Sequence, residues 1–366
     1  DKDDCADMGI VKVDLLGLGM MAVLQDAIAL VNTTASPKSQ IQNPESQIPN
    51  PNAQFDLAHL PPDDPAVYDL LQKADTIGVF QVESRAQMAT LPRLRPTRFY
   101  DIVVEVAIIR PGPIVGQMVH PYLKRRAGLE PVTYPHPALE PILQRTLGVP
   151  LFQEQLLRIA MVAAGFSGGE AEELRRAFGF KRSAQRMKQI EGKLRAGMTK
   201  QGITGTAAEQ IIQSIAAFAL YGFPESHAAS FALLVYASAY LKAHFPAAFY
   251  TAMFNNQPMG FYHPATLVKD AQRRGVRFAS IDVQRSSWSC VVEADGAIRL
   301  GLRYVTGLRE EVGRAIDGLQ SSAPGPQVPG PSSQFPVRFM SIEDLIARTG
   351  LRRDELATLA EIGALN

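Results

Sequence analysis

Cysteine is almost absent. The 366 residues hold two, Cys5 and Cys290, beside six histidines. That excludes a disulfide scaffold and a four-ligand zinc site, and it makes a reducing cytoplasm the expected compartment. The six histidines and two cysteines show no metal-ligand spacing. No charged-then-apolar leader opens the chain. The longest nearly uncharged apolar run, residues 228–241, is 14 residues long. It is too short for a bilayer and normal for a buried helix, so no membrane partner is expected. No GxxxxGK[ST] loop and no GxGxxG fingerprint occurs, which removes support for P-loop and Rossmann nucleotide sites. What is present is a large apolar fraction, 46% against 20% charged, enough to bury a core and exclude disorder of the whole chain. The length suggests two or three domains.

The net charge of +1 conceals an asymmetry. Residues 1–84 carry 4 Lys/Arg against 13 Asp/Glu, residues 85–200 carry 19 against 9, and residues 201–366 carry 14 against 14. A basic middle beside an acidic start suits a polyanion, with carboxylates nearby to hold divalent metal. Solvated faces that neutralise each other across a domain contact explain the same numbers equally well.

Residues 9–16, GIVKVDLL, alternate like a strand, with Lys12 and Asp14 opposite Val11, Val13 and Leu15. Helical spacing follows over 20–31. Residues 33–54 are rich in Ser, Pro, Asn and Gln and predict a disordered insertion; residues 321–336 resemble a linker. Between these, apolar residues recur at three-to-four spacing over 65–73, 98–109, 155–164, 168–178, 207–220 and 226–245. Ser167 and Glu170 have capping-box spacing, Ser226 is a candidate N-cap, and Pro246 should end its helix. Asp295-Gly296 signals a type I′ hairpin. Residues 341–366 predict two short helices around Gly350.

Four elements could do chemistry. Asp14, on a strand beside Lys12, could ligate a hard cation while the lysine meets a phosphate; an Asp at a strand edge is more often simply solvated. Arg110 must sit where its helix stops, because Pro111 disfavours helix in the residue before it. Pro113 stiffens that turn, and a rigidly held guanidinium suits forked phosphate binding. An arginine bonding carbonyls at a helix end is at least as good an account. LRRAFGFKRS, residues 174–183, packs Arg175, Arg176, Lys181 and Arg182 into eight residues, with Leu174, Ala177 and Phe178 as anchors. If helix continues past Gly179, Arg175 and Arg182 share a face; solvated basic helices look similar. In YGFPESHAAS, Ser226 and His227 open a buried helix whose N-terminus favours anions. Neighbours on a helix point about 100° apart, so they are not a nucleophile–base pair. A capping serine with a structural histidine is the plainer account.

These elements in this order resemble the C-family bacterial replicative DNA polymerases, the alpha subunit of DNA polymerase III and its relatives. The matching stretches are GIVKVDLLGLGMM, GVFQVESRAQM, IIRPGPIVGQMV, GVPLFQEQLLRIA, LRRAFGFKRS and YGFPESHAASFALLVYASAYLKAHFP. FGFKRS, GFPESH, NNQPMGFYHPATLV, IDVQRSSW and IRLGLRYV look most like the error-prone branch, which acts in damage tolerance. The implied fold is α+β and predominantly α-helical. Residues 1–32 would be the C-terminal edge of the palm, 55–320 the fingers with a β-hairpin near 286–304, and 337–366 the start of a helix-hairpin-helix domain.

The resemblance also implies a chemistry. Asp14 matches the third metal-binding aspartate of the family's palm and Lys12 its companion lysine. The other two aspartates, and the histidine-rich N-terminal domain, would lie upstream, so this chain alone is expected not to extend a primer. Arg110, Arg175, Arg176, Lys181 and Arg182 would line the incoming triphosphate, with Ser226 and His227 near the same site. Phe180 stands where many replicative members have a lysine, which changes the phosphate register at that end. The implied cofactor is Mg2+. The implied partners are primed template DNA and dNTPs, with a sliding clamp and other mutagenesis proteins reached through segments outside this chain. The implied reaction is attack of a primer 3′-hydroxyl on the dNTP α-phosphate. The alternatives are a replicative alpha-subunit type polymerase and a non-catalytic nucleic-acid-binding chain.

Overall fold

The computed structural model describes residues 7–10, 17–34, 55–109, 115–178, 184–219, 223–259, 262–321 and 339–365. Most of the expected strand over 9–16, nearly all of the 33–54 insertion and nearly all of the 321–336 linker fall outside them. The described residues are mostly helical with one small sheet. None of their helices is long and apolar enough to cross a membrane. By contacts the chain divides into residues 61–240 and a second unit of residues 1–60 with 241–366.

In the first unit the Phe99–Ile108 helix is buried on all sides, from Asp101 through Ile108. Its Ile102, Val103, Val104, Val106 and Ala107 leave no solvated stripe, as expected of a helix inside a core. The Val115–Arg126 helix packs on it. Arg126 grips Asp101 with two hydrogen bonds of 2.7 and 2.6 Å and donates as well to the carbonyls of Leu94 and Arg95. The two helices on either side of the Arg110 segment are therefore tied at the end away from it.

A second core lies in the same unit. Leu156, Ile159, Ala160 and Ala163 of the Gln153–Ala164 helix meet Leu174, Ile190, Leu194, Met198, Ile211 and Ile215 of the next three helices, Gly168–Phe178, Ala184–Lys200 and Gly205–Ala219. Gly197 allows the close crossing, since a Cβ there would stand 2.1 Å from the Ala164 carbonyl oxygen. The capping box forms as expected: Ser167 N–H donates to the Glu170 carboxylate at 2.9 Å, and Glu170 N–H donates to Ser167 Oγ at 3.3 Å.

In the second unit the Leu18–Thr34 helix packs on Pro246–Asn255, whose Ala248–Phe254 stretch is buried. The Glu225–His244 helix stops just before Pro246, as expected, and Pro246 occupies the first turn of the next helix, where a missing N–H costs nothing. Lys242 is fully buried and satisfied by Asp270 at 2.8 Å, an acid that also accepts from the Tyr250 hydroxyl. Strands β1 (Phe278–Ala279), β2 (Val291–Val292) and β3 (Ile298–Arg299) form a sheet of order β1-β3-β2. β2 pairs antiparallel with β3, and β1 pairs parallel with it. The chain reverses at Asp295-Gly296, but not through a type I′ turn, because only Gly296 has positive φ (81°). The Gly296 N–H donates to the Glu293 carbonyl and the Glu293 N–H to the Ala297 carbonyl, the pattern of a three-residue loop with glycine at the bulge.

The expected tail helices are Ile342–Thr349 and Arg353–Glu361, with Gly350 left-handed at φ 67° between them. Glu355, 1% exposed at its side chain, binds Arg309 through both carboxylate oxygens. The Arg309 hydrogen bonds hold the Glu355 pKa down at about 2.

Candidate functional site

Asp14, Lys12, Arg110, Lys181 and Arg182 lie outside the described residues, and Arg176 is described only as part of its helix. Arg175, Ser226 and His227 are described in full. All three belong to the 61–240 unit.

Arg175 stands on the Gly168–Phe178 helix, which Ala171 (1% exposed) and Leu174 (0%) fix into the core. Its side chain remains 38% exposed and forms a two-bond pair with Glu172, at 2.9 and 2.6 Å. That hydrogen bonding raises the arginine pKa further, so its charge is permanent. A phosphate reaching this guanidinium has a carboxylate three residues away to displace. The helix is described as far as Phe178, so the shared face expected for Arg175 and Arg182 falls outside the described residues.

Ser226 is not the N-cap. The helix runs Glu225–His244, one residue earlier than its spacing suggested, and Ser226 sits exposed in the first turn. The reason is tertiary: the Glu225 N–H is capped at 2.9 Å by the carboxylate of Glu154, from a helix 71 residues upstream. His227 packs between Phe223 and Phe231, with ring centroids 5.1 and 4.1 Å away, and Phe231 meets Phe80 edge-on at 5.1 Å. One face of His227 is thus occupied by aromatic packing.

Backbone pairing brings these helix starts together. Phe152 and Phe223 form an isolated parallel bridge, and the Gln153 N–H donates to the Phe223 carbonyl at 3.0 Å. The starts of Gln153–Ala164 and Glu225–His244 are therefore adjacent, and the Arg175 helix packs on the first of them. Among the described residues no hydrogen bond or ion pair joins Arg175 to Ser226 or His227 directly.

Several groups beside this frame had no separate signal in the sequence reading. The Tyr100 hydroxyl donates to Glu225 at 2.9 Å, and Arg145 lies over the Tyr100 ring, 3.8 Å from its centroid. Glu105 is fully buried, and among the described residues no donor reaches either of its carboxyl oxygens. Burial pushes its pKa up to about 8. A lone acid inside the apolar stretch 102–109 is the signal that could have found it.

The described residues contain no group of three His, Cys, Asp or Glu side chains placed to hold a metal ion. They do not by themselves fit a magnesium centre, and Asp14 is not among them.

Comparison with known proteins decides the family. A family profile described as the bacterial DNA polymerase III alpha subunit finger domain matches residues 21–202, and a helix-hairpin-helix motif matches residues 275–321. Over its whole length the chain is 51% identical to a protein of Anaeromyxobacter sp. (strain K), 48% to one of Methylococcus capsulatus and 46% to one of Pseudomonas aeruginosa, each named error-prone DNA polymerase. The chain belongs to the C-family of bacterial DNA polymerases. It covers 31%, 34% and 33% of those three proteins, about a third of each. Within the C-family polymerase chain the finger profile spans both helical cores of the 61–240 unit as far as Gly202, including Arg175. The helix-hairpin-helix match spans the sheet and the Glu310–Ser321 helix, ahead of the tail where the sequence reading placed the start of such a domain.

Proposed function

We propose that this chain forms part of the incoming-nucleotide site of an error-prone DNA-directed DNA polymerase that acts in translesion synthesis. Identity of 46–51%, over the whole of this chain and about a third of each relative, to proteins named error-prone DNA polymerase carries this reading. The excess of Lys/Arg over residues 85–200, inside the finger match, supports it.

In this reading Arg175 and Arg176, with Lys181, Arg182 and Arg110, contact the triphosphate of a dNTP paired to template DNA. Adjacent cations on one anchored helix suit a ligand that gathers several charges in a small volume. Ser226 and His227 lie near the same site, at a helix start whose first N–H already binds the Glu154 carboxylate. Lys12 adds a cation beside Asp14. Asp14 is the residue of this chain that would contribute a magnesium ligand, and the chemistry supplied there would be activation of the primer hydroxyl and neutralisation of developing charge. The palm edge at 1–32, the fingers at 55–320 and a DNA-contacting domain from 337 are the corresponding domain proposal. The helix-hairpin-helix match adds support for template DNA as a partner. The cytoplasm is the compartment proposed.

The test uses a polymerase that contains this chain together with the segments carried by its longer relatives. Arg175→Ala or Arg176→Ala should raise the KM for dNTP about thirtyfold, the loss of one charge-assisted contact worth about 2 kcal/mol. The Kd for primed DNA should stay within about twofold. If instead KM is unchanged while DNA affinity and its salt slope fall by about one phosphate contact, these cations track the DNA backbone and the nucleotide assignment is lost.

A further inference from the structure

We infer that Tyr100, Glu225 and Arg145 form a latch that positions the nucleotide site, an inference that rests on the reading above. Glu225 lies immediately before Ser226 and His227. Tyr100 lies in the first turn of Phe99–Ile108, the rod that leads to Arg110. The two are 125 residues apart in sequence, and the Tyr100 hydroxyl donates to Glu225 Oε1 at 2.9 Å. Arg145, from a third segment, lies over the Tyr100 ring and brings its Nη1 to 3.6 Å from the same carboxylate oxygen. On the backbone side, the Glu225 N–H is held by Glu154 in the first turn of Gln153–Ala164. One residue therefore ties the starts of three helices: the one leading to Arg110, the one on which the Arg175 helix packs, and the one that carries Ser226 and His227.

Arg145 and Glu225 are 63% and 30% exposed, and such pairs contribute little to folding. The first turn of Phe99–Ile108 is already fixed by the buried Asp101–Arg126 pair. What the Tyr100–Glu225 bond adds is register between two helices that the Asp101–Arg126 pair does not connect. Burial, then the Glu225 carboxylate, hold the Tyr100 pKa far above its ordinary range, so the hydroxyl remains a donor at any working pH. A small shift between the two rods would move the Phe99–Ile108 helix relative to Ser226 and His227, and catalytic sites lose much from displacements of this kind. These are positioning residues, with no contact to the substrate required of them.

The experiment uses the same longer polymerase. Tyr100→Phe removes one oxygen and leaves the ring that Arg145 and Phe152 pack against. It should raise the dNTP KM about fivefold, with kcat and the Kd for primed DNA each within about twofold. Glu225→Gln keeps an oxygen for Tyr100 to donate to and should keep a nearly wild-type KM. Glu225→Ala should match Tyr100→Phe, and the double variant should be no worse than either alone. An unchanged KM in Tyr100→Phe, or effects that multiply in the double variant, overturns the latch. Arg175→Ala in parallel separates the two failures. If it raises KM and Tyr100→Phe does not, the latch alone is wrong. If neither raises KM, the nucleotide site itself is misassigned and the latch falls with it.

Discussion

Asp101 and Glu105 lie one turn apart on the Phe99–Ile108 helix, at 1% and 0% exposure. Asp101 has the full Arg126 fork, the Thr97 N–H and a longer contact to Arg98. Burial alone would raise its pKa; the Arg126 and Thr97 hydrogen bonds outweigh that and hold it below the ordinary range. Glu105 has burial and, among the described residues, no donor, so its pKa rises to about 8. On one helix, with both side chains out of contact with solvent, the acid that has a cationic partner is charged and the more deeply buried acid without one is not. The charged one ties two helices together. The other is held neutral at neutral pH, at a cost to folding that its surroundings do not offset.

Removing the partner should turn the first acid into the second. Arg126→Met keeps the aliphatic stem and leaves Asp101 buried with only the Thr97 donors and the longer Arg98 contact. Unfolding in urea should show a loss of about 3–5 kcal/mol at pH 7. The pH dependence should also reverse. In the native protein the depressed Asp101 pKa contributes stability above the unfolded value near 3.8, lost as pH falls through the lower folded value. In the variant the folded pKa lies above the unfolded one, so stability falls as pH rises from about 4. A loss under about 1 kcal/mol, with no reversal, would mean that Arg126 does not set the state of Asp101.

Glu105→Leu sharpens the contrast from the other side. The side chain is replaced by an apolar one of similar size. Below pH 4.5 the acid is protonated in folded and unfolded states alike, so ionisation contributes nothing. Between 4.5 and about 8 only the unfolded state ionises, which favours unfolding. The stability gained by Glu105→Leu should therefore grow with pH, from about 1 kcal/mol near pH 5 to about 4 kcal/mol at pH 7.5. Parallel urea melts at the two pH values measure it. A gain independent of pH would show that Glu105 is not held neutral in the fold.

The same contrast explains what was legible in the sequence. Gly168–Phe178 was found to the residue because its start is encoded locally, by Ser167 and Glu170 three apart. The tail helices were legible for the same reason, with Gly350 supplying the left-handed turn. Arg85–Leu94 and Val115–Arg126 were not legible in the sequence; each carries an internal proline, Pro92 and Pro121, a residue that ordinarily disfavours a helix interior. Ala184–Lys200 contains Gly192 and Gly197, which lower helix propensity; Gly197 earns its place only through the distant Ala164. Ser226 was misread as a cap because the real acceptor, Glu154, comes from another helix. At the candidate site the residue types were legible as a set of cations and a helix start. The Tyr100–Glu225–Arg145 junction was not, because its members are 45 to 125 residues apart and no local pattern links them.

An exposed pair completes the comparison and should give the smallest effect on folding. Glu172 and Arg175 are 36% and 38% exposed at their side chains, and they form a fork like that of Asp101 and Arg126. Water can replace either partner here, so the pair contributes little to stability. Glu172→Gln should shift the urea midpoint by an amount equivalent to under about 0.5 kcal/mol. Its effect should appear in binding instead. In the proposed nucleotide site the Glu172 carboxylate competes with the triphosphate for the same guanidinium. Weakening that competitor should lower the dNTP KM about threefold in the longer polymerase, with kcat little changed. The direction matters more than the size, because loss of a merely structural contact would raise KM or leave it alone. A raised KM in Glu172→Gln would mean that the carboxylate aims Arg175 at the phosphate rather than competing for it, and the fork would then resemble its buried counterpart in function as well as in shape.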